Sequence, residues 1–458
     1  MKKFISVLLI ATLILSMTGC GKAQSNETLG GESPASTMAV TQTPAPETND
    51  EPVSTADEAP TKLNETISFW YCYTDKVQEN NISLTTEFNE TVGKELGITV
   101  NAEYQGDYAA MSQKLKAAYV AGTAPAVTVM DVSMLQPYTK SGVLQALDTY
   151  IERDKAEVNM EDFQPAFTTD STYQGTTYSL PYLRSTPILY LNTTLLEEAG
   201  LDTKGPDTWE DLIQYAATIK EKTGKYGMTV IANAWLFQAF LMEYDSSLYN
   251  DDTTATNINS EAAKKVIANI NQMIEEGSAK VLSSTQGDSF LSDVKSQNCA
   301  MWFYSTGGLT TFVGLGASSG FNVNTAFLPK GTSSSCPTGG ANLVLTSKLT
   351  DNQKEAAWQF IKWMTAKEQA IKASTNTGYL PSRISAANDP TMQQLYTKMP
   401  QFKVVIDQLA NAGGITPSTT EADAAIVSAL DSILVNKADV DTTLATAEAK
   451  VNQILNQK

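Results

Sequence analysis

Ser185-Thr186-Pro187-Ile188-Leu189-Tyr190-Leu191-Asn192 is the stretch on which the fold reading turns. The apolar run at 187–191 predicts a strand. Downstream, Thr208-Trp209-Glu210-Asp211 resembles a capping box and opens a helix that closes with Lys220, Lys222 and Gly224. Upstream the same grammar is already under way. Residues 67–73 predict a strand, 83–96 a helix stopped by Gly97, and 98–103 a second strand. Asp107 then caps a helix that runs to Val120 and ends at Gly122, before a third strand at 127–130. The pattern returns after 208, with helices at 259–276, 353–366, 401–410 and twice within 421–457, and a strand at 299–304. Such alternation predicts an α/β fold. The 393 residues after position 65 are too many for one core, so two lobes are expected.

The chain of 458 residues contains no histidine, which removes Ser-His-Asp and Cys-His nucleophile systems and every site built on an imidazole. Its 32 basic and 50 acidic residues leave a net charge of −18, a surface that repels phosphate backbones, so no nucleic-acid partner is expected. Lys2 and Lys3 followed by the apolar run 4–17 predict a signal peptide over 1–19. Met17-Thr18-Gly19-Cys20 resembles a lipobox, which makes Cys20 the expected lipidation site and the outer face of the cell membrane the expected location. Residues 20–65 carry five prolines, eight acids and no aromatic, the composition of an extended tether. Cys72, Cys299 and Cys336 remain after Cys20, and their spacing fits no metal motif. Cys72 reads as a small buried apolar residue, and a bridge between Cys299 and Cys336 stays open.

Gly314-Leu315-Gly316 with Gly320 fails as a dinucleotide loop, because the spacing is wrong and no acid closes a strand about 20 residues later. No cofactor or metal is expected, and no catalytic residue is assigned. A glycosidase carboxylate pair needs no histidine, so a secreted polysaccharide-active enzyme remains the rival class, beside an adhesion lipoprotein. Trp70, Tyr71, Tyr73, Tyr108, Trp235, Trp302, Tyr304 and Tyr379 fall at or beside predicted element ends, where aromatics line clefts and stack on sugar rings. For any one of them, core packing is the commoner fate. Gly307-Gly308 and Gly339-Gly340 permit close backbone approach and free N–H groups, though glycine pairs more often mark plain turns.

Together the segments resemble the family 1 extracellular solute-binding proteins of ABC importers, and within them the glycerol-3-phosphate-binding branch. The resemblance spans nearly the whole folded region. It is carried by Phe69-Trp70, the stretch Tyr104-Gln105-Gly106-Asp107-Tyr108, Ala121-Gly122-Thr123-Ala124-Pro125 before a strand ending at Asp131, the 185–192 stretch and the 208–212 helix entry. Cys299-Ala300-Met301 leading to Ser305, Gly339-Gly340-Ala341, Thr377-Gly378-Tyr379-Leu380-Pro381 and Met399-Pro400-Gln401 complete it. The resemblance implies two hinged lobes, of 66–186 with 325–365 and of 187–324 with 366–458, closing on a ligand between them. It places ligand contacts at Tyr108, Asp131, Ser185, Ser305, Gly340 and Tyr379. It also puts Lys403 where the branch has a phosphate-binding arginine, and keeps only Trp235 of a tryptophan pair, with Ala232 at the other position. The ligand it implies is glycerol-3-phosphate, a glycerophosphodiester or a carbohydrate. The implied partner is the ABC permease, reached by a monomer that touches the membrane only through its lipid.

Overall fold

The computed structural model describes residues 62–250 and 252–457. The expected signal peptide, the expected lipidation site Cys20 and the expected tether up to residue 61 lie outside the described residues. Within the stretch expected to be tether, Leu63 N already bonds Leu96 O at 2.8 Å and Glu65 opens the first strand.

Ten strands build two five-stranded sheets. In chain order they are β1 Glu65–Tyr71, β2 Ile98–Tyr104, β3 Val127–Asp131, β4 Ser179–Ser185, β5 Pro187–Asn192, β6 Tyr226–Ile231, β7 Ala279–Leu282, β8 Cys299–Ser305, β9 Val323–Ala326 and β10 Gly339–Leu345. The first sheet has the order β2-β1-β3-β10-β4 and the second β9-β5-β8-β6-β7. β10 runs antiparallel to β3 and β4, while β5 runs antiparallel to β8 and β9. Consequently the C-terminal ends of β1, β2, β3 and β4 share one edge with the start of β10. In the second sheet the C-terminal ends of β6, β7, β8 and β9 share an edge with the start of β5. One residue, Thr186, joins β4 to β5 and so joins those two edges, the kind of switch point at which α/β sheets bind ligands.

Local chemistry explains the elements. Thr208 and Asp211 close a reciprocal capping box on the Trp209–Thr223 helix, worth about 1 kcal/mol. Asp107 caps the Tyr108–Ala121 helix through Ala110 N, and Gly122 ends it in the left-handed conformation at φ 74°. The helix expected at 83–96 instead begins at Asp75 and breaks at Thr91, giving Asp75–Glu90 and Val92–Leu96. Its first turn carries Lys76, Gln78 and Glu79, which lack the apolar period that marks the rest. The first sheet is covered by Phe88, Trp358, Phe360 and Met364, all fully buried. Trp209, Phe240 and Met273 cover one side of the second sheet, and Trp302 with Phe312 the other. Cys72, Cys299 and Cys336 are buried free thiols, so the open question of a Cys299 to Cys336 bridge closes without one. Burial pushes the Cys299 thiol up to about 12, which makes it inert at neutral pH.

Candidate ligand cleft between the two sheet edges

The first edge carries Tyr73, two residues after β1 ends, with Tyr108 opening the helix after β2 and Asp131 closing β3. Tyr73 adopts φ 66°, a strained conformation for a bulky residue and of the kind that collects at functional sites. Its ring meets Tyr108 edge to face at 5.1 Å. Asp131 Oδ1 accepts from Ser133 N at 2.9 Å and Ser133 Oγ at 2.7 Å, which fixes the carboxylate against the start of a 3-10 turn. The second edge brings Tyr304 and Ser305 at the end of β8. Ser305 Oγ accepts from Gly307 N at 3.1 Å, and its carbonyl accepts from Tyr190 Oη at 2.8 Å.

The glycine pairs turn out to be seats for aromatic rings. A Cβ on Gly307 would stand 2.6 Å from the Tyr379 ring, one on Gly308 would stand 2.9 Å from Tyr304, and one on Gly339 would stand 2.5 Å from Trp235. Only glycine lets the rings lie that close to the backbone. Trp235, on the Ala234–Met242 helix of the second sheet, also donates from Nε1 to Thr338 O at 3.0 Å, next to the first-sheet edge. Gly340 has a different reason. Its φ is 83°, and a Cβ there would lie 2.1 Å from the Leu183 carbonyl, so the β-bulge between β10 and β4 demands glycine whatever binds nearby.

After burial, which is the largest cause in each case, Tyr379 and Asp131 both raise the pKa of Tyr73 and of Tyr108, and Asp131 raises that of Tyr379. They therefore share one neighbourhood, and Tyr304 acts on Tyr73 and Tyr379 from the opposite sheet. Yet Tyr73 is 39 % and Tyr304 37 % exposed, against 8 % for Tyr379. Groups hemmed in by protein but still reached by water mark a concave surface. Of the other aromatics noted in sequence, Tyr71 and Trp302 are core, and Trp70 donates to Glu103 Oε2 at 3.0 Å.

Ser185 is buried where the edges meet, directly after Arg184. The guanidinium of Arg184 is fully buried and all five of its donors are used. Nε donates to Gly339 O at 3.0 Å, Nη1 to Phe167 O at 3.1 Å and Asn342 Oδ1 at 2.8 Å, and Nη2 to Asp170 Oδ2 at 2.7 Å and Thr338 Oγ1 at 2.9 Å. Asp170 Oδ1 in turn accepts from Ile415 N at 3.2 Å, tying the loop before the Thr420–Leu430 helix to this cluster. Sequence gave no sign of Arg184, because its partners are drawn from two distant segments, 167–170 and 338–342.

Among the described residues no hydrogen bond joins Lys403 to Gly340 or Tyr379, with which the resemblance groups it. The Pro400–Gln408 helix starts at the far edge of the second sheet, where Gln401 Nε2 donates to Val323 O at 2.7 Å, opposite the Asn192 end of β5. It reaches the cleft only at Gln408, whose Nε2 donates to Thr186 Oγ1 at 3.2 Å. Lys403, in the first turn, is exposed and ion-paired with Asp407. A residue that sequence reasoning missed lies near Asp131: Asp423 Oδ1 accepts from Ser418 Oγ, Ser418 N donates to Ser133 O at 3.0 Å, and burial and the Asp131 charge push the Asp423 carboxyl up to about 6. Among the described residues no group of three or more acidic or cysteine side chains is arranged to hold a metal ion.

A two-lobed α/β protein with a ligand cleft at a hinge is the class that this arrangement defines. The profile of the bacterial extracellular solute-binding protein family matches residues 83–403, and the chain belongs to that family. It is similar to the sn-glycerol-3-phosphate-binding periplasmic protein UgpB of Brucella melitensis, at 26 % identity over 357 residues, 75 % of this chain and 80 % of that one. The crystal structure of UgpB from Mycobacterium tuberculosis in complex with glycerophosphocholine is similar at 26 % identity and a TM-score of 0.75, covering 85 % of this chain and 98 % of that one. The GacH receptor of Streptomyces glaucescens, solved with acarbose, shares the fold at 21 % identity and a TM-score of 0.74, covering 86 % and 99 %.

Proposed function

We propose that this protein captures a small hydroxylated solute, a carbohydrate or a glycerophosphodiester, and delivers it to the permease of an ABC importer. It would work as a monomer held to the outer face of the cell membrane by a lipid on Cys20. The lobes would be 66–186 with 325–365 and 187–324 with 366–458. Tyr108, Asp131, Ser185, Trp235, Ser305 and Tyr379 are its ligand contacts in this reading, with Tyr73, Tyr304 and Asp423 added. The observation that carries it is the convergence of tyrosines and carboxylates at the one-residue join between two sheet edges. Rings of that kind stack on the apolar faces of sugars, and carboxylates accept from their hydroxyls. The ligands in the complexes of similar proteins, glycerophosphocholine and acarbose among them, lend the reading its chemical range.

A thermal-shift screen across glycerophosphodiesters and oligosaccharides tests it, since a ligand of the folded state stabilises by RT ln(1 + [L]/Kd). Stoichiometric binding without turnover is expected. Release of new reducing ends from an oligosaccharide would transfer the protein to the rival enzyme class.

A further inference from the structure

Ser185, one of the hydroxyls assigned to the ligand above, is a single residue between two anchored neighbours. Arg184, on its N-terminal side, is tied to β10 through Gly339 O and Asn342 Oδ1 and to Asp170 beside them. Thr186, on its C-terminal side, is fully buried and tied to the second sheet. Thr186 N donates to Thr306 Oγ1 at 3.2 Å, and Thr306 N returns a bond to Thr186 O at 2.9 Å. Residues 186 and 306 each directly follow one of the proposed ligand serines in the chain. Their reciprocal pair therefore sets the spacing between Ser185 and Ser305.

The side chain of Thr186 is held in turn by Gln408, which ends the Pro400–Gln408 helix and is 3 % exposed. Its Nε2 donates to Thr186 Oγ1 at 3.2 Å and to Pro187 O, and its Oε1 accepts from Leu328 N at 3.0 Å. Both N–H groups of one amide are thus spent on the join from β4 to β5, and its oxygen on the start of the segment that leads from β9 to β10. Those are the two points at which consecutive strands pass from one sheet to the other. A buried amide with bonds to both passages makes one frame of them, because moving either leaves a polar group unpaired. With its donors spent, Gln408 acts on a ligand only through Thr186.

We propose, resting on the solute-binding reading above, that Gln408 is a positioning residue for ligand capture. It fixes the Thr186 hydroxyl, and through the Thr186–Thr306 pair it fixes the separation of Ser185 and Ser305. An amide that merely filled the core would stabilise the fold without coupling to either serine, and that difference is measurable.

A double-mutant cycle read by calorimetry on the full chain tests this, with glycerophosphocholine, acarbose and the tightest binder of the thermal-shift screen as probes. Gln408→Met should lower affinity about tenfold, because the two serines lose their common spacing. In a Ser185→Ala background the same substitution should cost about threefold or less, since the hydroxyl it positions is gone. Combined with Tyr108→Phe, on the first-sheet edge, the two losses should simply multiply. Thr186→Val deletes only the hydroxyl that Gln408 holds, should show the same coupling to Ser185→Ala, and serves where Gln408→Met folds poorly. Losses that multiply with Ser185→Ala for both variants, or an affinity untouched by both, overturn the inference while leaving the solute-binding reading standing. Failure of the wild-type chain to bind any probe or any member of the wider screen would overturn both.

Discussion

Arg184 with Asp170 and Asp131 with Asp423 are two charged clusters at the same sheet junction, and they are built on opposite terms. Behind Ser185 every donor of Arg184 has an acceptor, and Asp170 uses both oxygens. Asp131 and Asp423 each commit one oxygen, and the other takes no hydrogen bond among the described residues. A polar cluster that is fully satisfied without ligand has nothing left to offer one, so its role is to hold the lobes' connecting strands in register. A cluster with open valences in a concave, aromatic surface is completed only by something from outside. The charge of a residue near a cleft is therefore a poor guide to its role. What matters is how much of its bonding capacity the fold has already used.

The largest expected effect tests the first cluster. Arg184→Met leaves Asp170 buried without its counter-charge and should cost about 3–5 kcal/mol of stability, read by chemical denaturation. A stable variant that had merely lost ligand affinity would break the comparison. Next comes Gly340→Ala, which places a methyl 2.1 Å from Leu183 O at φ 83° and should cost about 1–3 kcal/mol through backbone strain. That loss too should appear in denaturation whether or not ligand is present. Asp131→Asn should behave in the opposite manner. Affinity should fall about tenfold, roughly 1.4 kcal/mol, while stability holds or rises because no charge need be desolvated.

How far could these roles be read from sequence? Those set by neighbours along the chain were legible. The 185–192 stretch, the Thr208 capping box and Asp107 with Gly122 follow from local pattern, whereas Tyr108, Asp131 and Ser305 were singled out by the family resemblance. Roles set by distant partners were not. Asp423 comes near Asp131 only because the last helices fold back against the second sheet, and the five partners of Arg184 come from two segments, 167–170 and 338–342. The glycine pairs were legible as sites of close approach, but the rings that approach them are fixed by tertiary packing.

A third buried acid sharpens the comparison at smaller scale. Glu243 Oε2 is buried with no hydrogen-bond partner, and burial pushes the carboxyl up to about 9 despite backbone N–H groups of Ser335 and Gly331 that pull it down. A folded-state value raised above the unfolded one means that the folded chain holds the proton more tightly. Stability is then highest below about pH 4.5 as far as this group is concerned, and declines as pH rises towards 9. Glu243→Gln keeps the shape of the protonated form and should flatten that decline, giving a gain of about 1 kcal/mol at pH 8 and little at pH 5. Equal effects at both values would show that the acid is not held neutral.

Lys403 provides the smallest expected effect and the strictest check. Its motif position, three residues after Pro400, suggests a phosphate ligand, but a sequence register says which residue follows which and not which side of a helix faces the cleft. Here Lys403 and Asp407 form an exposed pair one turn apart, a geometry worth about 0.3–0.5 kcal/mol. Lys403→Ala should therefore change stability by less than about 0.5 kcal/mol and leave the affinity for any bound solute within twofold. Had the side chain been a charge-assisted phosphate partner in a desolvated cleft, the loss would be about 2–5 kcal/mol, more than tenfold in affinity. Calorimetry with glycerophosphocholine separates those outcomes without ambiguity of scale. A large loss would mean that the cleft draws its positive charge from the Pro400–Gln408 helix, and the contrast between spent and unspent charges would then have to be drawn with Lys403 on the unspent side.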